Sequence, residues 1–498
     1  MAYVNRGSSG AGTAGTARAA GTTGTTGTAG TTGTAGTAGA NLPLLRSHNA
    51  ALVLDLLRTA GTAGISRLEL AERTGLTPQA VSKITARLRA DGLAAEAGRR
   101  ASTGGKPRTV LRLVPTAGHA VGLHLDRDEL TAVLADLSGT PVAARTAPLA
   151  FGAGAERVVE AAAREVEALL AQVAGEGSGP TADAGRAPWG AQAAPRGQGA
   201  SRGQGAPAGS AADAGRGPSG GLAGLGGPAA QGGWGPLGGQ GAPGGSAAEA
   251  GQAAQRAGAA PGGVRGVLGV GVAVPGPLDH VGGVLHRVTG FPAWDGFPLR
   301  DALARRLGLP VVLDKDTNAA ALGLALRGVS GGAAGDSFAY LHLGTGLGAG
   351  LVLGGALYRG ARTGAGEFGH QVIQLDGPLC GCGNRGCVEA LCLDAVSRGD
   401  IAEAARVLGA GAANLVGLLD IDRVLLGGRT VDADAEPFVR GVADVLAERA
   451  RREGGPGAVP VPVAVAPGGA RGVADGAAQL VLASVFGRAA EVAFPARR

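Results

Sequence analysis

Four residues in the C-terminal half of the chain are metal-binding types at metal-binding spacing. They follow the pattern H-x9-C-x-C-x4-C within GHQVIQLDGPLCGCGNRGCVE and are His370, Cys380, Cys382 and Cys387. Zn²⁺ prefers thiolate and imidazole ligands, and the glycines between them let the backbone turn tightly around one point. Four protein ligands leave no position for a reactive water, so the pattern predicts a structural zinc ion. The alternative is a group of unligated buried thiols.

All four cysteines of the chain lie between Cys380 and Cys392. Such clustering favours a metal site in a reducing compartment over a disulfide framework. Cys392 falls on the next predicted helix, where we expect a core residue rather than a fifth ligand.

Basic side chains are concentrated near the N-terminus. Residues 41–115 contain twelve Lys and Arg against five acidic residues, whereas the net charge of the whole chain is +6. The remaining residues are therefore close to neutral. A compact basic segment on a neutral remainder is typical of a nucleic-acid-binding domain.

The stretch SRLELAERTGLTPQAVSKITARLRADGL has the layout of a helix-turn-helix. Apolar spacing and capping residues predict helices at 49–60, 66–73 and 77–90, with Gly75 in the turn and Leu76 filling the gap. The residues predicted to be buried are Leu68, Leu70, Ala71, Val81, Ile84 and Leu88. The outer face of the second helix then carries Thr77, Gln79, Ser82, Lys83, Ala86 and Arg87. Because recognition helices read DNA near their N-terminus, Gln79, Ser82 and Lys83 are the first candidates for base or phosphate contact.

The next segment, EAGRRASTGGKPRTVLRLV, predicts two strands joined by a basic, glycine-rich loop. A wing of this type would let Arg99, Arg100, Lys106 or Arg108 reach a phosphate or the minor groove. The alternative is a small three-helix domain whose charges are only solvated.

Composition divides the rest of the chain. Residues 1–40 form a Gly/Thr/Ala tail and 176–263 a Gly/Ala/Pro/Gln insertion, and both are predicted to be disordered because they have few bulky side chains to bury. The predicted domains are a DNA-binding domain at 41–115 and a second domain at 116–175 plus 264–498. Neither an apolar run of about 18 residues nor a signal-peptide pattern occurs, which predicts a soluble cytoplasmic protein.

The second domain reads as α/β. Short apolar runs separated by glycine alternate with predicted helices at 155–173, 299–307, 318–327 and 436–451. The short turn at 126–129 joins the first two strands, so we expect a mixed rather than a purely parallel sheet.

These segments resemble the ROK family (repressor, open reading frame, kinase), in particular its winged-helix transcriptional regulators of the N-acetylglucosamine and xylose repressor type. The resemblance covers 41 to about 173 and 264–490. It rests on LPLLRSHNAALVLDLL, the GGKP wing, VGVAVPGPLD, LDKDTNAAALG, LGTGLGAGLVLGGALYRG, GEFGH, CGCGNRGCVE and NLVGLLDIDRVLLGG. It implies an actin-like and hexokinase-like (ribonuclease H-like) two-lobe ATPase fold, preceded by a mostly α winged helix-turn-helix domain.

The resemblance also implies a carbohydrate or sugar-phosphate ligand. In the family's sugar kinases, the residue matched by Asp316 is the general base. Those matched by Glu367, His370 and Glu389 hold the sugar hydroxyls, and His370 is also a zinc ligand. Asn318, in the same motif as Asp316, is a further expected sugar contact.

Several departures from the family pattern argue against phosphoryl transfer. The family's Asp-x-Gly-Gly-Thr phosphate loop is replaced by HLDRD at 124–128, which lacks both glycines and adds acidic charge. The later glycines at 344–350 and at 427–428 are retained. Gly290 and Lys315 each replace an asparagine of the family's pattern. Because the reaction needs phosphate loops as well as a base, we expect a non-catalytic sensor in which Asp316 only hydrogen-bonds the ligand.

The favoured interpretation is a ligand-controlled regulator of carbohydrate genes, usually a repressor in families of this type. It would bind a palindromic DNA operator as a homodimer or a dimer of dimers. One alternative is an ATP-dependent sugar kinase that carries a DNA-binding module. Another is a second domain that binds nothing and serves only for dimerisation.

Overall fold

The protein is described from a computed structural model. It describes residues 42–100, 108–176, 266–327, 337–454 and 459–488, without the side chains of 42–47 and 176. The predicted disordered tail at 1–40 and almost all of the insertion at 176–263 lie outside these residues.

The helices follow the sequence in eleven described segments, numbered here in chain order. They are α1 Leu42–Thr59, α2 Arg67–Thr74, α3 Pro78–Ala90, α4 Ala155–Glu176, α5 Leu299–Leu307, α6 Asp316–Leu326, α7 Val388–Ser397, α8 Ile401–Leu419, α9 Arg429–Ala433, α10 Ala435–Glu453 and α11 Gly472–Val485.

The strands of the described residues are likewise numbered in chain order. They are β1 Ile65–Ser66, β2 Ala94–Arg100, β3 Arg108–Leu113, β4 His119–Leu125, β5 Glu129–Asp136, β6 Pro141–Pro148, β7 Val267–Val274, β8 Leu278–Asp279, β9 Val284–Leu285, β10 Val311–Lys315, β11 Phe338–Leu343, β12 Leu347–Leu353, β13 Ala356–Tyr358, β14 Arg423–Gly427 and β15 Val463–Val465.

The N-terminal module, residues 42–113, combines α1–α3 with a three-stranded antiparallel sheet of order β1-β3-β2. Ser66 caps α2 by a reciprocal capping box with Glu69, as the sequence predicted. Gly75 ends α2 in the left-handed conformation, at φ 68°, which a side chain would disfavour. Thr77 then caps α3 through its hydroxyl. These features confirm the helix-turn-helix layout.

The prediction that Leu68 is buried was wrong, because its side chain is 43% exposed. Leu70 and Ala71 are buried, and Leu68 lies two residues before Leu70, about 200° around the helix. It therefore faces the opposite side of α2. In α3, Thr85 is buried and bonds the carbonyl oxygen of Val81.

The C-terminal module, residues 119–488, contains two five-stranded mixed sheets of equivalent topology. One has the order β10-β7-β4-β5-β6 and the other β13-β12-β11-β14-β15. In each, an antiparallel three-stranded meander continues into two further strands that run parallel to its first strand. The mixed α/β architecture predicted from the sequence is therefore confirmed.

Two helices pack together between the sheets. α11 lies against β4 and β7, and α6 lies against β11 and β12. The approach is so close that a Cβ on Gly122 would lie 1.9 Å from the carbonyl oxygen of Ala474. At Gly350 the corresponding distance is 2.1 Å, to the carbonyl oxygen of Thr317. These glycines are required by packing, and they place the first turn of α6 beside the β11–β12 turn.

By length and composition alone, α8 is apolar enough to cross a membrane. Its residues Ala404, Leu408 and Ala412 are fully buried in the apolar core of the second sheet, against α7 and α10. Core helices commonly pass the same test of composition.

Candidate ligand cavity, metal cluster and DNA-binding face

A cavity of about 490 Å³ opens between the ends of β7 and β10, the β11–β12 turn and the short 3-10 turn at Phe368–His370. Four of the five predicted sugar-binding residues line it, namely Asp316, Glu367, His370 and Glu389. These four residues come from three separate segments of sequence, and the fold brings them together.

Asp316 is the first residue of α6, at the positive end of the helix. One carboxylate oxygen accepts a hydrogen bond of 2.6 Å from the backbone N–H of Thr317. Burial raises the pKa of Asp316 above its usual value, against the opposing effect of His342. A half-buried, partly free carboxyl of this kind can exchange a hydrogen bond with a ligand hydroxyl.

The residue before Asp316 neutralises a neighbour in the cavity. Lys315 is only 3% exposed, and its Nζ lies 3.1 Å from Glu367 Oε1 and 2.5 Å from the carbonyl oxygen of Ala365. A buried ammonium needs such partners, because an unpaired charge in the interior is costly. The lysine at this position, where the family's pattern has asparagine, therefore holds one carboxylate oxygen of Glu367.

Asn318 is not among the residues lining the cavity, in contrast to the sequence prediction. Its side chain is fully buried and donates to Asp314 Oδ1 at 2.8 Å. Asp314 also receives Arg359 Nε at 2.7 Å, in an ion pair whose members are 1% and 8% exposed. Asn318 lies two residues after Asp316 on α6, about 200° around the helix. Its side chain therefore faces away from the cavity and holds Asp314 instead.

The predicted metal ligands converge. The four donor atoms of His370, Cys380, Cys382 and Cys387 all lie within 4.8 Å of one another. Cys382 Sγ and Cys387 Sγ are 3.7 Å apart, and Cys380 Sγ is 3.7 Å from His370 Nδ1. Tetrahedral Zn–S bonds of about 2.3 Å place two sulfurs about 3.8 Å apart. Donor types and distances therefore fit a tetrahedral metal ion.

Burial raises the pKa of the Cys387 thiol to about 12, so the thiolate form needs the charge of a bound cation. Cys387 is also the N-cap residue of α7, whose second residue is Glu389. Glu389 Oε2 accepts a hydrogen bond of 2.8 Å from the backbone N–H of Leu347. The cluster thus lies directly beside two of the cavity's polar residues. Cys392 is fully buried, in agreement with its predicted place in the core.

A network of ion pairs occupies the side of the cavity where the β4–β5 turn meets the second sheet. Arg429, at the start of α9, lies 2.9 Å from Asp128 and 4.0 Å from Asp126. Asp126 also accepts a hydrogen bond of 3.1 Å from the hydroxyl of Thr345. Arg429 and Thr345, which belong to the second sheet and its helix, therefore bind the acidic β4–β5 turn of the first sheet. The sequence analysis did not identify Arg429 as a partner of this turn.

The predicted face of the recognition helix is open to solvent. Its members Thr77, Gln79, Ser82, Lys83, Ala86 and Arg87 are all exposed. The hydroxyl of Thr77 is used to cap α3, and Arg87 lies 3.6 Å from Asp91. Gln79, Ser82 and Lys83 thus lie together on the first turns of α3 with no ion pair among the described residues.

The wing strands β2 and β3 form as predicted, with a bulge between Glu96 and Gly98. Arg99 and Arg108 are exposed. Arg100 instead donates to Glu69 at 2.9 Å, so its charge is partly neutralised. Lys106 lies outside the described residues.

Comparison with known proteins agrees with this geometry. Residues 257–396 match the model of the ROK family, and residues 53–94 match a winged helix-turn-helix DNA-binding model. Residues 257–396 are thus similar to the ROK family, and the C-terminal module that contains them is called the ROK domain below because of this match. A segment similar to winged helix-turn-helix proteins precedes it in the same chain, as the sequence resemblance implied.

The fold match extends further along the chain. A crystal structure of a ROK family transcriptional regulator, described as a homolog of the E. coli MLC protein, matches with a TM-score of 0.60 at 18% identity. The match covers 89% of this chain and 97% of that one. The two chains therefore share a fold, in which a winged helix-turn-helix precedes an α/β module with two mixed sheets.

Two curated relatives match a shorter part of the chain. The xylose repressor of Caldicellulosiruptor bescii is 38% identical over 130 residues, which are 26% of this chain and 32% of that protein. The glucokinase of Thermotoga maritima is 44% identical over 123 residues, 24% of this chain and 38% of that protein. The chain thus spans about a third of the length of the curated relatives it matches. One relative is a repressor and the other a kinase, so these matches identify the domain and not its activity.

Proposed function

We propose that this chain is a cytoplasmic DNA-binding repressor of carbohydrate-metabolism genes, controlled by a sugar-type ligand that its ROK domain binds without turnover. The observation that carries the proposal is the presence, in one chain, of an open recognition helix and a cavity lined by acids and a histidine. The first suits a DNA major groove, and the second suits a polyol.

The DNA-binding half of the proposal rests on α3 and the wing. Gln79, Ser82 and Lys83 are exposed on the first turns of α3, the part of a recognition helix that reaches base edges or phosphates. Arg99 and Arg108 are exposed on the wing and would extend this basic surface. A single winged helix reads a short half-site, so we propose that a homodimer places two copies of α3 on a palindromic operator.

The sensing half rests on the cavity and on its altered phosphate side. Phosphoryl transfer needs loops that accept triphosphate oxygens next to the general base. In this chain the carboxylates of Asp126 and Asp128 lie there, together with Arg429. Negative charge on the β4–β5 turn opposes a nucleotide, whereas Asp316, Glu389 and His370 still offer hydrogen-bonding groups to a sugar.

We propose that the bound metal is zinc and that it is structural. Three thiolates and one imidazole would complete its coordination, leaving no position for a reactive water, and its role would be to fix the cavity loop. His370, a ligand, and Glu389, two residues after the ligand Cys387, would then be held in position with Asp316 across the cavity.

The experiment for the DNA-binding half is selection of fragments of the source genome on the purified full-length protein, followed by fluorescence anisotropy on the selected fragment. We expect sequence-selective binding that weakens steeply between about 50 and 200 mM salt, because phosphate contacts release counterions. Absence of any selected sequence, or binding indifferent to salt, would exclude the repressor.

A second candidate function is that of a sugar kinase. It is favoured by the retention of Asp316 beside the glycine-rich β11–β12 turn. ATP-dependent phosphorylation of glucose or xylose by the pure protein, abolished in Asp316→Asn, would establish it. The repressor proposal expects no phosphorylation by the wild-type protein and no difference between it and the variant.

A further inference from the structure

A histidine on β11 lies at the cavity wall, although the sequence analysis assigned it no role. His342 is half-buried and lines the cavity together with Asp316. Its direct neighbours across the sheet are both glycines, Gly348 on β12 and Gly427 on β14. Because directly opposite residues of adjacent strands share a face of the sheet, no side chain flanks the imidazole at these two positions.

One ring nitrogen of His342 is bound by a buried tyrosine. The hydroxyl of Tyr340 lies 2.9 Å from His342 Nδ1. Tyr340 is only 4% exposed, and burial raises the pKa of its phenol, so the hydroxyl keeps its proton. Gly427 gives this hydroxyl its room, since a Cβ there would lie 2.7 Å from the tyrosine oxygen.

The hydrogen bond from Tyr340 determines where the imidazole carries its proton. Among the described residues, the Tyr340 hydroxyl has no hydrogen-bond partner other than His342 Nδ1. A buried hydroxyl without an acceptor is costly, so the phenol donates and Nδ1 accepts. The neutral imidazole then carries its proton on Nε2, an assignment made from the hydrogen bonding.

The other ring nitrogen of His342 is free at the cavity wall. In the part of the chain that the structure describes, no residue forms a hydrogen bond with His342 Nε2. A Cβ on Gly344 would lie 3.1 Å from this nitrogen, so the glycine in the β11–β12 turn leaves it uncovered. The N–H group on Nε2 is thus available to a molecule in the cavity.

Asp316 supplies the complementary group. One of its carboxylate oxygens accepts the backbone N–H of Thr317, and the other has no hydrogen-bond partner among the described residues. Burial raises the pKa of Asp316, and His342 opposes this rise more than any other neighbour, so the two side chains interact. A free acceptor and a free donor therefore border the same cavity. A hydroxyl group can donate to the first and accept from the second at once.

We propose that His342 is a ligand-binding residue of the cavity, whose Nε2–H donates to the ligand hydroxyl that in turn donates to Asp316. Tyr340 is a positioning residue that acts through His342 by fixing this tautomer. The inference rests on the proposed sensor function and adds a specificity-determining residue to its site. His342 and Asp316 together select a hydroxyl over an ether or carbonyl oxygen, which can only accept.

The first test needs no ligand. NMR spectra of full-length protein labelled at its histidine nitrogens show which ring nitrogen carries the proton, and His342→Gln identifies the signal of His342. At about pH 8, above the ordinary pKa of histidine, we expect the Nε2–H form in the wild type. Tyr340→Phe should increase the share of the Nδ1–H form, whereas Tyr358→Phe, which alters an exposed tyrosine, should not. An Nδ1–H or doubly protonated His342 in the wild type would overturn the assignment.

Calorimetry then measures sugar binding, with glucose, xylose and N-acetylglucosamine as the probes. His342→Leu should weaken the binding of a sugar about 3- to 10-fold, as expected for the loss of one neutral hydrogen bond. His342→Gln, whose amide can still donate, should recover part of this loss. Tyr340→Phe should add nothing to the loss in His342→Leu, because the tyrosine acts through the histidine. The matched control is His286→Leu, an exposed histidine outside the cavity lining, which should bind sugar like the wild type.

DNA binding of the unliganded protein is measured in parallel, and it also shows that the variants are folded. If the wild type binds its operator and a sugar while His342→Leu has the same sugar affinity, the sensor stands and His342 is not a ligand-binding residue. If sugar affinity depends on His342 but no operator is selected, the reverse holds. A wild type that binds none of the three sugars would overturn the sensor and this inference together. Additive losses in the double variant would overturn the role of Tyr340.

Discussion

The guanidinium of Arg58 lies 5.0 Å above the ring of Phe486, so the first helix of the DNA-binding module rests on the residue that follows α11 of the ROK domain. Arg58 also reaches the carbonyl oxygen of Leu326, the last residue of α6, at 3.5 Å. Asp55 holds Arg58 at 2.7 Å and Arg488 at 3.1 Å. Since α6 begins at Asp316, one helix extends from the ligand cavity to the DNA-binding module.

This contact predicts that Arg58→Ala uncouples the two modules. The variant should bind DNA and ligand separately with affinities within about 3-fold of wild type. Allosteric coupling typically changes affinity by about 5–150-fold, and here the ligand effect on DNA affinity should fall to less than about 2-fold. Anisotropy titrations with and without ligand measure it.

The control for Arg58 is Arg440→Ala, on the exposed side of α10, which should leave coupling intact. Undiminished coupling in Arg58→Ala would show that the signal does not pass through this contact.

Lys83 on α3 should contribute directly to DNA affinity. Lys83→Ala removes a positive charge from the recognition face, so the slope of log affinity against log salt should decrease by about 1 if Lys83 contacts a phosphate. Gln79→Ala should instead lower discrimination against a mutated operator base pair by about 1–3 kcal/mol. Identical slopes for wild type and Lys83→Ala would remove Lys83 from the phosphate interface.

How much of this could be read from the sequence depended on distance along the chain. The metal cluster spans eighteen positions and the capping box of Ser66 and Glu69 four, and local spacing predicted both correctly. The partners of Lys315 and Arg429 are 52 and 301 positions away, and no periodicity connects such residues. Asn318 was misplaced because a motif gives the order of residues but not the direction of their side chains around a helix.

Loss of the metal ligands should destabilise the ROK domain. We expect one zinc ion per wild-type chain by mass spectrometry and none in Cys382→Ser, with a lower Tm for the variant and for chelator-treated protein. Cys392→Ala, which alters a buried thiol outside the cluster, should keep its zinc. Equal zinc content in Cys382→Ser and wild type would contradict the proposed coordination.

The buried ion pair of Asp314 and Arg359 should contribute strongly to the stability of the protein. Arg359→Met leaves a carboxylate with 1% exposure without its cation, which should reduce the free energy of unfolding by about 3–5 kcal/mol in urea denaturation. The double variant with Asp314→Asn should recover part of the loss, because it removes the stranded charge. Additive losses would mean that the two residues do not act as a pair.

His124 should make stability depend on pH. Burial lowers the pKa of His124 from 6.5 to about 4, so the unfolded chain takes up this proton before the folded chain does. The contribution of neutral His124 to the free energy of unfolding should therefore be fully present above about pH 6.5. It should decrease as the pH falls toward about 4. In His124→Leu the decline of Tm over this window should be shallower, and parallel profiles would assign the acid sensitivity to other groups.

The most direct test of the account is the affinity of the full-length protein for its selected operator, measured by anisotropy with and without a ligand that stabilises the ROK domain. We predict that the ligand weakens operator binding by at least about 5-fold and that Glu389→Gln, which alters the cavity, abolishes this effect while leaving unliganded DNA binding intact. Operator affinity unchanged by every ligand that binds the cavity would contradict the sensor.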